Sequence, residues 1–510
     1  MTTRGRIERI ERGDWQTPAA LAEAVLDRVG VCCKESWSTV LEPTCGEGTL
    51  LDAAAKRFPR ATLRGFDLDA SYVEAARRRL FAHASGRTRI QIADFFATDW
   101  GAQLADTPRG PILVLGNPPW VTSAQLGVFG STNLPGKKNA GGLKGLDALT
   151  GKSNFDVSEW MIVRLLEVLQ GRDATLAMLC KSAVARRVVQ AVAAHQLDVA
   201  PVGLWRIDAA KHFDASVSAV LLVARTVSKP RSPRAASASR RKLWPVYADL
   251  AANERESSLA VVGGVLVADA ECFARTRHLA GDSDPEWRSG VKHDCARVME
   301  LQRVGAGWVN GLGDRVDIEE ERVFPLLKSS DVANERAASS RAMVVTQHML
   351  GEDTNELRRS SPRAWKYLSR HRALLDARKS SIYERQPPFA IFGVGPYSFA
   401  PWKVAISGLY KRSTFAIVGP HEGRPVVLDD TCYFLAFEDE ARARRAGEVL
   451  RSATARDFLA ARVFWDAKRP ITKAILQTLD LAALDRSLVQ ASNLQLVGQW
   501  PRPRKGSARV

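Results

Sequence analysis

Pro111-Ile112-Leu113-Val114-Leu115-Gly116-Asn117-Pro118-Pro119-Trp120 carries two messages in one short run. Its first half is almost wholly apolar, as expected of a central parallel strand covered on both faces. Its second half cannot continue that strand. Two consecutive prolines force a rigid, extended turn and remove two backbone donors. Such a turn can aim the Asn117 side-chain carbonyl and the Pro118 backbone carbonyl at one planar amino group, with Trp120 offering a face to an aromatic ring.

Upstream, the chain alternates strands and helices. Ser38 to Leu41 reads as a first strand, and Leu50 to Phe58 as a helix after a glycine turn. Thr62 to Phe66 is a second strand. Ser71 to Ala82 is a helix with Ser71 as its N-cap and Glu74 three residues on. Arg89 to Ile92 is a third strand, which makes Pro111 to Leu115 the fourth. Trp160 to Leu169 reads as a helix, and Ala174 to Leu179 and Ser218 to Ala224 as later strands. Alternation of this kind predicts an α/β fold, a doubly wound, mostly parallel sheet.

In such a sheet ligands sit at the carboxyl ends of the strands. Three strand ends carry suitable residues. Glu42-Pro43-Thr44-Cys45-Gly46-Glu47-Gly48 follows the first strand, and Gly46 and Gly48 permit a tight turn and close backbone approach to a ligand. Asp67 ends the second strand, about twenty residues after the glycine turn, where a carboxylate suits a ribose diol. After the third strand, Asp94 can accept from an adenine amino group and Phe95 can pack on its ring. Taken singly, each also fits a structural role: a helix cap, a turn acid, a core aromatic.

Together these segments resemble the amino-methyltransferases. With Asp14-Trp15-Gln16-Thr17-Pro18 upstream, their order is similar to the gamma class of adenine-specific DNA methyltransferases. That resemblance implies a Rossmann-like fold using S-adenosyl-L-methionine, held by Thr17, Glu42, Thr44, Gly46, Gly48, Asp67, Asp94 and Phe95. It implies catalysis by Asn117, Pro118, Pro119 and Trp120 on the N6 amino group of a flipped adenine in double-stranded DNA, with no metal. The segment His212 to Val220 resembles the one that brings a second aromatic to the base, which makes Phe213 a candidate; a plain core phenylalanine is the other reading. The glycine turn departs from the family's small residues at Thr44-Cys45, and Trp120 stands where Tyr is commoner.

Further on, Trp287 to Asp294 and Phe324 to Val332 resemble target-recognition segments of type IIG restriction-modification enzymes. Tyr397 to Lys403 adds aromatic and basic residues, a mixture that serves base stacking and phosphate contact. The resemblance thus implies a restriction-modification or related defence role, with a cognate restriction endonuclease as a possible companion. The same amino chemistry also serves protein glutamines and RNA base amino groups. A catalytically silent DNA-binding module is a further alternative.

Composition agrees with a nucleic-acid partner. The 510 residues suit two or three domains, and the net charge of +17 favours a polyanion through counterion release. Residues 1–243 are expected to form the catalytic domain, with a basic segment at 228–242. Residues 244–500 are expected to form a mixed α+β target-recognition domain, with Arg341 to Val345 and Phe389 to Phe392 as strands and Glu438 to Leu450 and Thr454 to Ala461 as helices; 501–510 is a basic tail. Seven cysteines without a Cys-x-x-Cys pair argue against a disulfide framework and a zinc site. No apolar stretch is long enough to span a membrane, and Met1 to Arg6 leads into no apolar signal core. A cytoplasmic protein is expected.

Overall fold

A computed structural model describes residues 15–33, 36–121, 156–226, 242–336 and 340–492. Asp14, most of the basic segment 228–242 and the tail 501–510 lie outside the described residues. The chain divides into two compact units, Met1–Ala270 and Glu271–Val510.

The first unit is built on a ten-stranded sheet. Its strands are β1 (Thr39–Glu42), β2 (Thr62–Asp67), β3 (Thr88–Ile92), β4 (Ile112–Gly116), β5 (Ala174–Lys181), β6 (Val199–Ile207), β7 (Ala219–Thr226), β8 (Trp244–Tyr247), β9 (Arg255–Val262) and β10 (Val265–Val267). Their spatial order is β10-β9-β8-β6-β7-β5-β4-β1-β2-β3. Strands β3, β2, β1, β4 and β5 run parallel, and β7 inserts antiparallel between β5 and β6. This is the expected Rossmann-like α/β architecture. Every residue of β4 is buried, as its apolar run requires.

The topology also fixes where a ligand can sit. From β1 the chain winds outward to β2 and β3, then returns to place β4 on the other side of β1. A crevice opens at such a reversal, at the carboxyl ends of the strands. Glu42, Asp67 and Gly116 are the residues that end β1, β2 and β4.

Helices cover the sheet. Ala19–Cys33, unmarked in the sequence reading, buries Leu21, Ala22, Val25, Leu26 and Val29, one face of a helix. These join Leu50, Leu51, Val73 and Leu80 from the next two helices, Thr49–Arg57 and Ala70–Ala84, over Val40, Leu113 and Leu115 of the sheet. The second of these helices starts differently from expectation. Ser71 lies inside it, and the Asp69 carboxylate accepts the Ser71 N–H at 2.8 Å. Asp69, the residue just before the helix, thus caps it in place of Ser71.

Residues 244–267, expected to open the second domain, instead continue the first sheet. Strand β8 pairs in parallel with β6, and Tyr247 stacks on Trp205 at 4.7 Å. The compact unit therefore runs to Ala270.

The second unit mixes helices with two sheets. Its strands are β11 (Arg288–Ser289), β12 (Glu300–Val304), β13 (Gly307–Asn310), β14 (Arg315–Val316), β15 (Val323–Leu327), β16 (Arg341–Val344), β17 (Trp402–Ser407), β18 (Phe415–Val418), β19 (Val427–Leu428) and β20 (Cys432–Phe437). One sheet has the order β11-β20-β17-β18 and the other β14-β13-β12-β16-β15-β19. Helices Glu440–Leu450 and Ala453–Ala460 pack on Val404, Ile406 and Leu435 of the first. The expected strand Phe389 to Phe392 does not form. Phe389 has φ 65°, and Phe392 makes an isolated bridge to Lys292. A left-handed residue after Pro387-Pro388 breaks the extended run.

Lys403 lies in β17 with 1% of its surface exposed, and its ammonium donates to Ala400 O at 2.6 Å. Burial pushes its pKa down to about 7, against a smaller opposing pull from Glu438. The unfolded chain takes this proton near 10.5 and the folded chain near 7. The resulting penalty is absent above pH 10.5, grows as pH falls towards 7, and is constant below. Lys403→Met is therefore expected to stabilise the second unit by about 1–3 kcal/mol at pH 7. It should also flatten the rise in stability between pH 7 and 10. Denaturant titrations at several pH values check this; equal pH slopes in both proteins would contradict it.

Candidate active site

The site grows from the turn between β1 and the helix Thr49–Arg57. Gly48 caps that helix at φ 78°, a left-handed conformation that L side chains resist. A Cβ there would stand 2.9 Å from the Ala76 Cβ, so the missing side chain lets the helix Ala70–Ala84 close in. Gly46, at φ 49°, lies under Gln16, whose Oε1 accepts the Glu47 N–H at 3.1 Å.

Asp67 ties this turn to the end of β2. One of its oxygens accepts the Gly46 N–H at 2.8 Å and the other the Asp69 N–H at 2.9 Å. Each carboxylate oxygen has two lone pairs, so one carboxylate can serve several donors at once. Glu42, at the end of β1, is buried. Its Oε2 has no hydrogen-bond partner among the described residues. Burial pushes its carboxyl well up, the neighbouring Asp67 adds to this, and the Leu51 N–H opposes it.

Asn117 follows β4. Its Nδ2 donates to Trp15 O at 2.7 Å and lies 3.4 Å from Thr17 Oγ1. A backbone carbonyl can only accept, so this contact fixes which way the amide faces. The opposite end, Oδ1, is buried and has no partner among the described residues. An unsatisfied buried carbonyl costs about 1–3 kcal/mol. It stands as an acceptor prepared for a donor that the chain itself does not supply.

These groups meet in one cavity of about 430 Å³. Thr17, Glu42, Thr44, Gly46, Asp67, Phe95, Asn117 and Pro119 all line it. Gly48, Asp94, Pro118, Trp120 and Phe213 are outside its lining. Asp94 accepts the Phe96 N–H at 2.8 Å and so shapes the turn that presents Phe95 and Phe96. Phe95 is backed by Trp100 at 4.9 Å, and Phe96 by Trp160 at 5.0 Å. Trp120 and Phe213 are buried and pack edge to face, centroids 5.1 Å apart, with Trp15 against Phe213 at 6.5 Å. At that spacing no ring fits between the two.

The sequence reading did not single out Trp15, Gln16, Tyr72, Phe96 or Met161 as site residues, and all line the cavity. For Phe96 and Tyr72 a signal existed: Phe96 stands two residues after Asp94 and Tyr72 three after Asp69. The contact of Trp15 with Asn117 spans 102 positions and leaves no local trace.

No protein-family model matches the chain. The type II methyltransferase M.NspV of Nostoc sp. is 41% identical over 489 residues, spanning 94% of this chain and 98% of that protein. The chain belongs to the type II methyltransferases. It is a DNA methyltransferase of the restriction-modification kind, and its cofactor is S-adenosylmethionine. Among solved structures, the type IIL restriction-modification enzyme MmeI in complex with DNA aligns over 90% of this chain, at 12% identity and a TM-score of 0.48. The alignment spans 64% of MmeI. The methyltransferase subunit of a type I system from Streptococcus thermophilus aligns over 46% of this chain and 47% of its own, at 14% identity and a TM-score of 0.32.

The methyltransferase's cavity fits its cofactor chemically. A carboxylate pair at two strand ends, one bearing an unpartnered oxygen, suits a ligand with an ammonium group and a ribose diol. Phe95 supplies an apolar wall for a purine ring. Among the described residues no helix is long and apolar enough to cross a membrane.

Proposed function

We propose that this methyltransferase methylates the exocyclic N6 amino group of an adenine at a defined site in duplex DNA, in the manner of the gamma class. The observation that carries the reading is the Asn117 amide: Nδ2 is committed to Trp15 O, and Oδ1 is left as a buried acceptor at the end of β4. An exocyclic amino group offers two N–H donors, which matches a pair of acceptors in the Asn117 side chain and the Pro118 backbone.

That amino nitrogen is a poor nucleophile because its lone pair is delocalised into the ring. Asn117 Oδ1 and Pro118 O would take its two N–H bonds, draw the nitrogen towards tetrahedral geometry and direct the lone pair to the cofactor side of the cavity. S-adenosylmethionine, when bound, supplies a methyl group on sulfonium for in-line displacement. The extra proton on nitrogen then passes to solvent. Asn117 and the rigid Pro118-Pro119 turn contribute by positioning, which is worth most when reacting atoms are held in line.

Thr17, Glu42, Thr44, Gly46, Asp67 and Phe95 would hold the cofactor, with Gly48 and Asp94 shaping the two turns. A stacked duplex hides the amino group, so the base must be flipped out, at roughly a few kcal/mol. Trp120 and Phe213 would receive it, which requires their edge-to-face contact to open or one of them to offer an outer face. The second unit would read the DNA target. We place the enzyme in the cytoplasm, paired with a cognate restriction endonuclease. Tritiated methyl transfer to DNA, RNA and protein substrates tests the substrate class; transfer to RNA or protein alone would refute it.

The cofactor role of Asp67 can be tested separately. Asp67→Ala should weaken S-adenosylmethionine binding by about 1.5–3 kcal/mol, roughly ten- to hundredfold, because a ribose diol loses a charged acceptor. Isothermal titration reads this directly. Unchanged affinity would mean that Asp67 serves only to tie Gly46 and Asp69 in place.

A further inference from the structure

The second unit holds a cleft of about 490 Å³ for which the methyl-transfer chemistry has no use. Its floor is part of the six-stranded sheet. Arg303 on β12 stands directly opposite Trp308 on β13, and its backbone N–H donates to Ser340 O at 2.9 Å. Val323 and Pro325 of β15 extend the floor, and a tight turn closed by His421 and Arg424 forms one wall.

Three arginines face this cleft in different states. Arg341 is ion-paired to the buried Asp331. Arg424 lies over the Phe324 ring at 4.7 Å and donates to Glu320 O at 2.7 Å. Arg303 lies over the Trp308 ring at 5.2 Å and meets Glu422 at 3.5 Å, with side chains 46% and 67% exposed. Glu320 and Glu422 also line the cleft, so its charges nearly balance. A run of phosphates favours uncompensated Lys and Arg. A base edge is neutral and presents donors beside acceptors. The cleft matches the second.

We propose that Arg303 and Glu422 together read one G·C base pair in the major groove. Arg303 donates its fork of N–H groups to guanine O6 and N7, and Glu422 accepts from the N4 amino group of the paired cytosine. Their mutual ion pair is exposed and weak, so it exchanges for the base pair at little cost. The Trp308 ring holds the guanidinium in place beforehand, which spares ordering cost on binding. The proposal rests on the reading that the second unit recognises the DNA target.

The test uses the full chain, the wild-type site mapped from modified DNA, and a set of duplexes altered one base pair at a time. For the wild type, one G·C position should cost about tenfold or more in affinity when changed to A·T. In R303A the discrimination at that position should vanish while the other positions keep theirs. E422A, which removes the acceptor, should relax the same position. R303K keeps the charge but not the fork, and should also lose discrimination. Equal weakening on every duplex, or discrimination unaltered in R303A, would overturn the proposal. Arg303 is half exposed, and unchanged melting of the variants confirms their fold. A wild type that discriminates no duplex at all would instead overturn the reading of the second unit beneath it.

Discussion

Asn117→Ala is expected to lower methyl transfer by at least about 10²–10³-fold, the scale seen when one prearranged hydrogen-bonding group is removed from an active site. Cofactor binding should be left largely intact. The cofactor-facing carboxylates belong to β1 and β2, while Asn117 follows β4 and commits its Nδ2 to Trp15 O. The substitution deletes the unpartnered Oδ1 together with the Nδ2 donor to Trp15 O, so Asn117→Ala alone does not separate the two. Asn117→Asp makes the sharper comparison. It keeps an oxygen acceptor but sets a carboxylate oxygen against Trp15 O, where an N–H donated before. It should fail nearly as badly as alanine. Single-turnover transfer to duplex DNA, beside isothermal titration of the cofactor, measures both effects. Near-normal transfer by Asn117→Ala would remove the basis of the assignment.

The second large effect concerns the division of labour. A fragment ending at Ala270 is expected to bind S-adenosylmethionine and to lose sequence-specific methylation entirely. The end point follows from the sheet: β8, β9 and β10 complete it, and a cut near residue 227 would strip three strands from its edge. Every residue lining the cofactor cavity lies within Trp15 to Met161. Base discrimination is assigned to groups beyond Ala270, and phosphate contacts alone carry no sequence information. Cofactor titration establishes that the fragment is folded, and base-by-base mapping of a methylated plasmid reads specificity. A fragment that kept the parent's site would show that the second unit does not recognise it.

Much of the first unit was legible because its information is local. The apolar run before Gly116, the glycine turn after β1 and the acid ending β2 each announce a strand end within a few residues. Their convergence follows from one topological rule, the reversal between β1 and β4. What stayed hidden depends on distant partners. The orientation of the Asn117 amide is set by a carbonyl 102 positions away. Trp120 reads as a free stacking face, but its contact with Phe213 closes it.

Strands β8 to β10 follow a basic stretch that looks like a domain boundary, and Pro245 within β8 and the run Arg255-Glu256-Ser257-Ser258 in β9 obscure their strand character. Pairing of β8 with β6 recruits them to the first sheet regardless. In the second unit the segments from Trp287 and Phe324 look like recognition elements. The structure ties them together inside the unit: His293 lies 3.4 Å from Glu300, and Lys328 bonds the same carboxylate at 2.7 Å. The exposed Arg303 and Glu422 carry no local motif at all.

The most direct measurement is base-by-base sequencing of modified DNA from cells expressing the wild-type chain or Asn117→Ala. The account predicts N6-methyladenine at one defined sequence with the wild type and none with the variant. N4-methylcytosine at the modified site, or unmodified DNA alongside methylated RNA or protein, would contradict it.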